Sequence, residues 1–370
     1  MSKTSKNSID KVFLGIVVAL VIFGLISFVS ASLGILAKNE EKFYGVLFNQ
    51  LVLGLLGGSI ALLICMKYKY DFWRNNSFII FLGSIVLTLL VFVPGLGLSH
   101  GGARRWISIF GFSLQPVEFL KIGFVIYFAA YLSWIKSKVS DYKFSILPLI
   151  LMIGVIASVL LAQPDTKSLM LIIAVGASML FVSGIPIKYI VFLISIAAAG
   201  LIALAMFTPY LTERIETFLD PSSDPSNSSY QLQQSLIAIG SGGVFGRGLG
   251  QSIQKFSYLP EPQGDSIFAV IGEEFGFVGS VLLLVLYVAF VMRGLHLAYR
   301  APDSFSRLFI VGIVILFGAQ SLLNIASIVG LFPLTGVPLV FISHGGTSLL
   351  ISLAAIGIIL NMSKYQRKIN

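Results

Sequence analysis

The chain has 370 residues, of which 56% are hydrophobic and only 11% charged, with a formal net charge of +9. Soluble domains carry about 25% charged residues, so too few polar groups exist here to cover a soluble surface. The single cysteine, Cys65, excludes an intramolecular disulfide and reads as a small buried hydrophobe.

A membrane helix needs about 20 apolar residues, and such runs recur along the chain. Lys3, Lys6 and Lys11 precede an apolar stretch that is long for a signal peptide, which predicts an uncleaved first helix. The predicted spans are 12–32, 46–66, 77–93, 116–136, 145–162, 167–186, 189–207, 266–292, 308–329 and 345–362. The fold class is therefore all-α: a polytopic integral membrane protein of about ten transmembrane helices, read as one domain over 1–370. Lys67, Lys69, Arg74, Lys136, Lys138, Lys143, Lys188, Arg293, Arg300 and Arg307 fall on the same side as both termini. Positive loops stay inside, so 1–11 and 363–370 are predicted to be cytoplasmic. The net charge is then mostly topological and does not argue for nucleic acid.

Two outer segments are long, 94–115 and 208–265, and connections of that size are usually functional or disordered. Residues 220–229 are turn-rich and contain the glycosylation triplet Asn227-Ser-Ser229. Residues 230–250 are amphipathic, then glycine-rich, which predicts a short helix on or dipping into the membrane surface. No strand precedes those glycines, so they are not a nucleotide fingerprint.

Acids at a membrane edge are costly and mark function. Asp265 stands where the second outer loop enters span 8; it is either a general base or divalent-cation ligand, or a helix N-cap. Glu261 is a second ligand or a loop anchor. Glu273 and Glu274 follow inside the span and read as structural, paired with a cation or with backbone. Glu118 and Lys121 lie three apart on one face of span 4 and are expected to pair, as simple structure or as the wall of a head-group cavity. Arg104-Arg105-Trp106 offers guanidinium forks for phosphate, or headgroup anchoring. Arg247 and Lys255 flank the glycine-rich stretch, and Asp165 and Lys167 form a tight turn with a helix cap. Pro333 to Ser348 holds two prolines and Gly345-Gly346 in an apolar region, which signals a broken or re-entrant segment. His344 in that segment titrates near neutral pH if exposed, but a lone histidine is more often a packing residue. The outer face thus gathers Arg104, Arg105, Lys121, Arg247, Lys255, Glu261 and Asp265, which suits an anionic, phosphorylated, membrane-borne substrate.

Several blocks together resemble one family: Gly102-Ala-Arg-Arg-Trp106, Gln115-Pro-x-Glu118, Gln163-Pro-Asp165, Gln231-x-x-Gln234-Ser, Leu259-Pro-Glu261-x-x-x-Asp265, and Asn324 through Gly330-Leu-Phe-Pro333-Leu-Thr-Gly336 to Ser343-His-Gly345-Gly346-Thr-Ser348. The chain resembles the SEDS proteins (FtsW, RodA and SpoVE) over nearly its whole length. The run Gly246 to Pro260 is more similar to FtsW than to RodA. The resemblance implies a peptidoglycan glycosyltransferase of the bacterial inner membrane that polymerises lipid II at the outer leaflet, in cell division by its FtsW likeness. It implies that Asp265 is the essential catalytic residue. It also implies that Glu118 and Lys121 are the family's intramembrane pair, and that Ser343 and His344 sit in the signature beside the substrate. Arg104, Arg105, Arg247, Glu261, Glu118 and Lys121 complete the candidate substrate-binding set. Asp265 is the candidate ligand for a divalent cation (Mg or Mn), and no organic cofactor is expected. Expected partners are lipid II, undecaprenyl-pyrophosphate-linked glycan, a class B penicillin-binding protein transpeptidase, other divisome proteins and membrane lipid, with no nucleic acid.

Three departures stand out. Pro262-Gln263-Gly264 replaces the common Ala-His-Thr, Thr166-Lys167-Ser168 replaces Leu-Gly-Thr, and His344 replaces Tyr. Two other classes fit the polar intramembrane residues. A flippase for lipid-linked precursors predicts polar residues on both sides of the midplane and inverted repeats. A non-catalytic divisome scaffold predicts that Asp265 is dispensable.

Overall fold

The computed structural model describes residues 8–100, 103–109, 112–207, 209–219 and 228–366. Helix α1 (Lys11–Leu36) starts where the Asp10 carboxylate accepts the Phe13 N–H at 2.7 Å. Asn39 caps α2 (Glu40–Phe48) in the same way, and α2 continues through a π-helical stretch (Asn49–Gly57) into α3 (Gly58–Lys67). After α4 (Tyr70–Asn75) and α5 (Ser77–Leu89) come three short strands, β1 (Gly97–His100), β2 (Ala103–Ile109) and β3 (Phe112–Leu114). They form an antiparallel sheet in the order β1-β2-β3, so the first outer segment is a small sheet rather than a plain loop. Alternation explains it: Ala103 and Ile107 are buried on one face of β2, while Arg104 and Ser108 are exposed on the other. Gly102 lies outside the described residues.

Then follow α6 (Pro116–Trp134), α7 (Tyr142–Ala162), α8 (Thr166–Ser183), α9 (Ile187–Phe207), α10 (Pro209–Leu219), α11 (Ser228–Ser241), α12 (Gln254–Ser257), α13 (Ile267–Tyr299), α14 (Ser304–Ile328) and α15 (Gly346–Ser363). Among the described residues, 8 helices are long and apolar enough to cross a membrane, and Ser77–Phe92 and Ile187–Gly200 are shorter apolar helices at the third and seventh predicted spans. The chain is a multi-pass membrane protein. Its inner helices are α6, α14 and α15; the outer helices expose Ile22, Ile79, Leu151 and Val285. Apolar surface on that scale belongs against lipid.

The start of α1 and the end of α15, nearest the two termini, meet at one end of the bundle. The Asp10 N–H donates to Ser363 Oγ at 3.1 Å, and the Asp10 carboxylate pairs with Arg293 at 2.6 Å. The sheet, α10 to α12 and an irregular segment between α14 and α15 lie at the other end.

The second outer segment departs from its reading as a surface element. Helix α11 matches the predicted amphipathic helix, with Leu232, Ser235 and Ala238 buried, and it packs on α13. The glycine-rich stretch behind it docks on a break in α13 at Gly276, where φ is 65° and ψ −161°. Arg247 N–H and Gly248 N–H donate to the carbonyls of Glu273 and Glu274 at 2.9 and 3.0 Å, while Phe277 N–H and Val278 N–H donate back to Gly243 and Val244 at 2.9 and 3.1 Å. Backbone lies directly on backbone here: a Cβ on Gly246 would collide with the Glu274 carbonyl. Glycine is required by that approach, not by flexibility. The triplet at Asn227 and most of the turn-rich stretch around it lie outside the described residues.

Candidate active site

Asp265 immediately precedes Ser266 and α13, and its carboxylate is half-buried. Among the described residues no backbone N–H bonds that carboxylate, so Asp265 is not the cap of α13. Its own carbonyl accepts from Asn324 Nδ2 at 2.8 Å, and the same Nδ2 donates to Val337 O at 2.7 Å. One α14 side chain therefore ties the approach to α13 to the irregular segment that follows α14.

That segment is the broken stretch anticipated at Pro333 to Ser348. Val337, Leu339, Val340, Phe341 and Ile342 are buried without helix or strand. Irregular backbone at this depth survives only with its polar groups satisfied. Gln320 Nε2 donates to Pro338 O at 3.0 Å, Tyr287 Oη donates to Val340 O, and Leu339 N–H donates to Ser343 Oγ at 2.8 Å.

Gly336, in this segment, faces the site. Its φ is +61°, and a Cβ built on it would lie 3.0 Å from Asp265 Oδ2, 3.6 Å from Arg214 Nη2 and 3.6 Å from Lys167 Nζ. One carboxylate oxygen and two cationic nitrogens thus surround a single point left open by a glycine. Lys167 Nζ donates to Gly336 O, and Arg214 Nη1 donates to Leu334 O. Arg105 Nε donates to Gln163 O at 3.1 Å and its Nη2 to Pro164 O. Arg105, Lys167 and Arg214 line a cavity of about 220 Å³ with Pro333, Leu334 and Thr335. Three cations on one small cavity beside a carboxylate suit a phosphate-bearing ligand.

A second cavity, about 420 Å³, lies along Leu259 to Gln263, with Lys38, Lys42, Tyr230 and Glu261 on its walls. Glu261 is exposed and holds φ at 45°. Its carbonyl accepts the Gly264 N–H at 2.9 Å and the Ser266 N–H at 3.3 Å, and its carboxylate accepts from Gln263 Nε2 at 3.1 Å. It is the anchor of the turn that presents Asp265.

Other sequence-predicted site residues occupy different places. Ser343 is buried and donates to Gly264 O at 2.8 Å, while His344 N–H donates to Gln263 O at 2.7 Å. The His344 ring stacks on Phe28 at 5.8 Å between centroids. Both residues brace the Asp265 turn from behind and line neither cavity just described. Glu118 and Lys121 pair at 2.8 Å with side chains only 9% and 4% exposed, and Lys121 Nζ also donates to Gln320 Oε1 at 3.0 Å. Their charges are spent on each other inside the bundle, away from both cavities. Arg247 pairs with Glu273 at 3.7 Å on the glycine-rich loop, and Arg104 points out from the sheet. Lys255, counted with the outer cations, is fully buried against Glu274 at 2.6 Å and Ser30 at 3.0 Å. Glu273 accepts from Ser252 Oγ at 2.5 Å and from Ile253 N–H at 3.0 Å. The structural reading of Glu273 and Glu274 agrees with this network. Of the predicted set, Arg105 lines the smaller cavity, Glu261 and Lys255 line the larger one, and Asp265 faces Gly336 next to the smaller.

Sequence reasoning missed two residues. Lys167 was absorbed into a turn and cap, and the cap is real: Asp165 accepts from Ser168 N–H at 3.3 Å and from Ser168 Oγ at 2.8 Å. That cap fixes the first turn of α8 and sends Lys167 across to Gly336. The available signal was its position, a charge where the family pattern has glycine. Arg214 was passed over in a long outer segment, although Thr212-Glu-Arg-Ile-Glu-Thr217 carries helical polarity.

The profile of the cell cycle protein family FtsW/RodA/SpoVE matches residues 10–368. The chain belongs to this family. Among its members, stage V sporulation protein E of Bacillus subtilis is 37% identical over 366 residues, covering 98% of this chain and 99% of that protein. The probable peptidoglycan glycosyltransferase FtsW of Geobacter sp. is 38% identical, covering 97% of each chain. The fold agrees as well. A solved chain from the structural coordination of polymerization and crosslinking by a peptidoglycan synthase complex superposes with a TM-score of 0.79 at 26% identity, over 97% of this chain and 99% of that one. The rod shape determining protein RodA of Thermus thermophilus gives a TM-score of 0.70 at 26% identity, over 97% and 98%.

Proposed function

We propose that this chain is a peptidoglycan glycosyltransferase that polymerises lipid II. The observation that carries the reading is the point at Gly336 where the Asp265 carboxylate, the Lys167 ammonium and the Arg214 guanidinium converge. The Asp265 carboxylate takes the proton of the acceptor's GlcNAc 4-hydroxyl. That oxygen bonds to the anomeric carbon of the growing strand, and the bond from that carbon to the undecaprenyl pyrophosphate breaks, its electron pair leaving with the phosphate. Attack opposite to departure inverts the anomeric centre. The base stands at the open point, and the cations lie where charge grows on the leaving group.

The positive-inside rule puts the end that holds Asp10, Arg293 and Ser363 in the cytoplasm, and so Asp265 at the outer leaflet. A class B penicillin-binding protein transpeptidase is the partner that would crosslink the strand, and the likeness to FtsW supports a role in division. A divalent cation on Asp265 was the expected cofactor. The donor set around Asp265 does not fit one: its close charged neighbours are cations, and among the described residues no three His, Cys, Asp or Glu side chains gather to hold a metal. The deciding experiment is gel analysis of lipid II polymerisation by the purified protein with its transpeptidase. Asp265→Ala should abolish polymer; a variant running at the wild-type rate refutes the reading.

A further inference from the structure

Helices α7 and α9 each pack on α8, and between them the bundle leaves a cleft of about 450 Å³ that the reaction at Asp265 does not use. Its walls are Leu147, Ile150 and Phe192, all exposed. At its mouth stand Tyr142, Tyr189 and Lys188. The two tyrosine rings lie 6.5 Å apart between centroids, and Lys188 Nζ sits 5.0 Å from the centroid of the Tyr189 ring. A cation over a ring face keeps its three N–H donors for a ligand. Among the described residues Lys188 has no acid partner.

The mouth lies at the end of the bundle that holds Asp10 and Arg293. Arg307, in the first turn of α14, donates to Val182 O in the last turn of α8 at 3.3 Å, and α14 follows α13 after a short turn. Charge there is unequal. Segments 135–150 and 184–192 carry Lys136, Lys138, Lys143 and Lys188 against Asp141 alone, a balance of +3. Asp141 is engaged as the cap of α7, where its carboxylate accepts the Lys143 N–H at 3.0 Å. Asp303, at the start of α14, pairs with Arg74 at 3.6 Å. From Tyr142 to Ile150 the wall runs about 12 Å along α7. A cationic, tyrosine-lined mouth above an apolar wall of that depth fits a molecule with an anionic head and a hydrocarbon tail. Basic pockets between membrane helices recognise lipid headgroups in this way.

We propose that the cleft between α7 and α9 is a binding site for an anionic glycerophospholipid of the leaflet at that end. One acyl chain fills the gap between the two helices. The phosphate accepts hydrogen bonds from Lys188 and from the Tyr142 and Tyr189 hydroxyls. A zwitterionic headgroup adds an ammonium that the surrounding lysines repel, so the site selects by charge as well as by shape.

The test uses the full-length chain, delipidated in detergent and titrated with dioleoyl phosphatidylglycerol or dioleoyl phosphatidylcholine, with bound lipid counted by native mass spectrometry. A lysine near an anionic headgroup contributes about fivefold in binding, so wild type should prefer phosphatidylglycerol by at least about that factor. Lys188→Gln should bring the two lipids within about twofold, while Lys188→Arg keeps the preference, which separates loss of charge from loss of fold. The double variant Lys136→Gln, Lys138→Gln removes more charge from the same end but outside the cleft, and should also keep the preference. If it loses the preference as fully as Lys188→Gln, or if wild type has none, the cleft is not the site. Position is read with phosphatidylglycerol carrying a photoactivatable acyl chain, in vesicles of phosphatidylglycerol and phosphatidylcholine. Labelling should concentrate on peptides that contain Leu147, Ile150 and Phe192. Labelling spread evenly over the outer helices overturns the proposal. An equal amount of undecaprenyl phosphate should leave the labelling unchanged; if it displaces the label, the cleft belongs to a polyprenyl phosphate and the assignment to a glycerophospholipid is overturned.

Discussion

Gly336→Ala separates folding from chemistry at this site. Gly336 adopts φ of +61°, a region that costs an L-residue about 1–2 kcal/mol, so a modest loss of stability is expected. The backbone around it keeps its ties, because Lys167, Arg214 and Asn324 bond carbonyls that the substitution leaves in place. The added methyl carbon, however, would stand 3.0 Å from Asp265 Oδ2 and 3.6 Å from both cationic nitrogens. It would occupy the place where the reacting hydroxyl or the phosphate oxygen has to enter. A misplacement of about 1 Å in a reacting geometry costs about 100-fold in rate, so at least that loss of lipid II polymerisation is expected. The assay is polymer formation on gels, paired with thermal unfolding in the same detergent. A Gly336→Ala protein that polymerises within twofold of wild type would refute the placement of the reaction at this point, whatever its melting temperature.

Breaking the buried Glu118–Lys121 pair with Lys121→Met should cost about 3–5 kcal/mol in thermal or denaturant unfolding, because a carboxylate is left unpaired. The double variant Glu118→Gln, Lys121→Met should recover much of it, and a double variant no better than the single one argues against the pair. Lys255→Met should destabilise by a similar amount by stranding Glu274, with Glu274→Gln in the same chain as the rescue. Asn324→Ala removes the donor shared by Asp265 O and Val337 O; about 1–3 kcal/mol of stability and a clear drop in polymerisation are expected together, and an unchanged rate counts against its positioning role. At the other end of the bundle, burial alone would raise the Asp10 carboxyl, but the Arg293 guanidinium and the Phe13 N–H outweigh it and hold its pKa below the ordinary value. A depressed carboxylate stabilises the fold above its unfolded pKa and stops doing so as pH falls through its folded one. Asp10→Asn should therefore melt earlier than wild type at pH 7, with the difference closing below about pH 4; a gap that persists there contradicts the pairing.

Much of the fold was legible because lipid imposes one rule, apolar length, and the apolar runs obey it. The sheet at 97–114 was not, since its alternation is short and lies within a glycine-rich connection. The glycine-rich stretch at 242–250 was misread for a related reason. Its partner is the backbone of α13 at Gly276, and backbone pairing leaves no trace in side-chain periodicity. At the site, Asp265 stood out because a carboxylate at a membrane edge is costly. Arg104, Lys121, Arg247 and Lys255 stood out by the same argument, but charge alone does not say what a cation pairs with. Lys121, Arg247 and Lys255 each turned to a nearby acid, whereas Lys167 and Arg214 reached across to the broken segment.

The buried pair and the site are linked through amide polarity. Lysine only donates, so Gln320 must present Oε1 to Lys121, and its Nε2 is then free to hold Pro338 O. One turn further along α14, Asn324 uses Nδ2 to hold Val337 O and Asp265 O together. Two amides on one helix face thus fix successive carbonyls of the segment that carries Gly336, and the second also fixes the residue that carries the carboxylate. Removing the charge on Lys121 would free Gln320 to turn over and place an acceptor against Pro338 O. The Glu118–Lys121 pair therefore acts on the site as a positioning element, by deciding which way an amide faces, without touching the cavity beside Asp265.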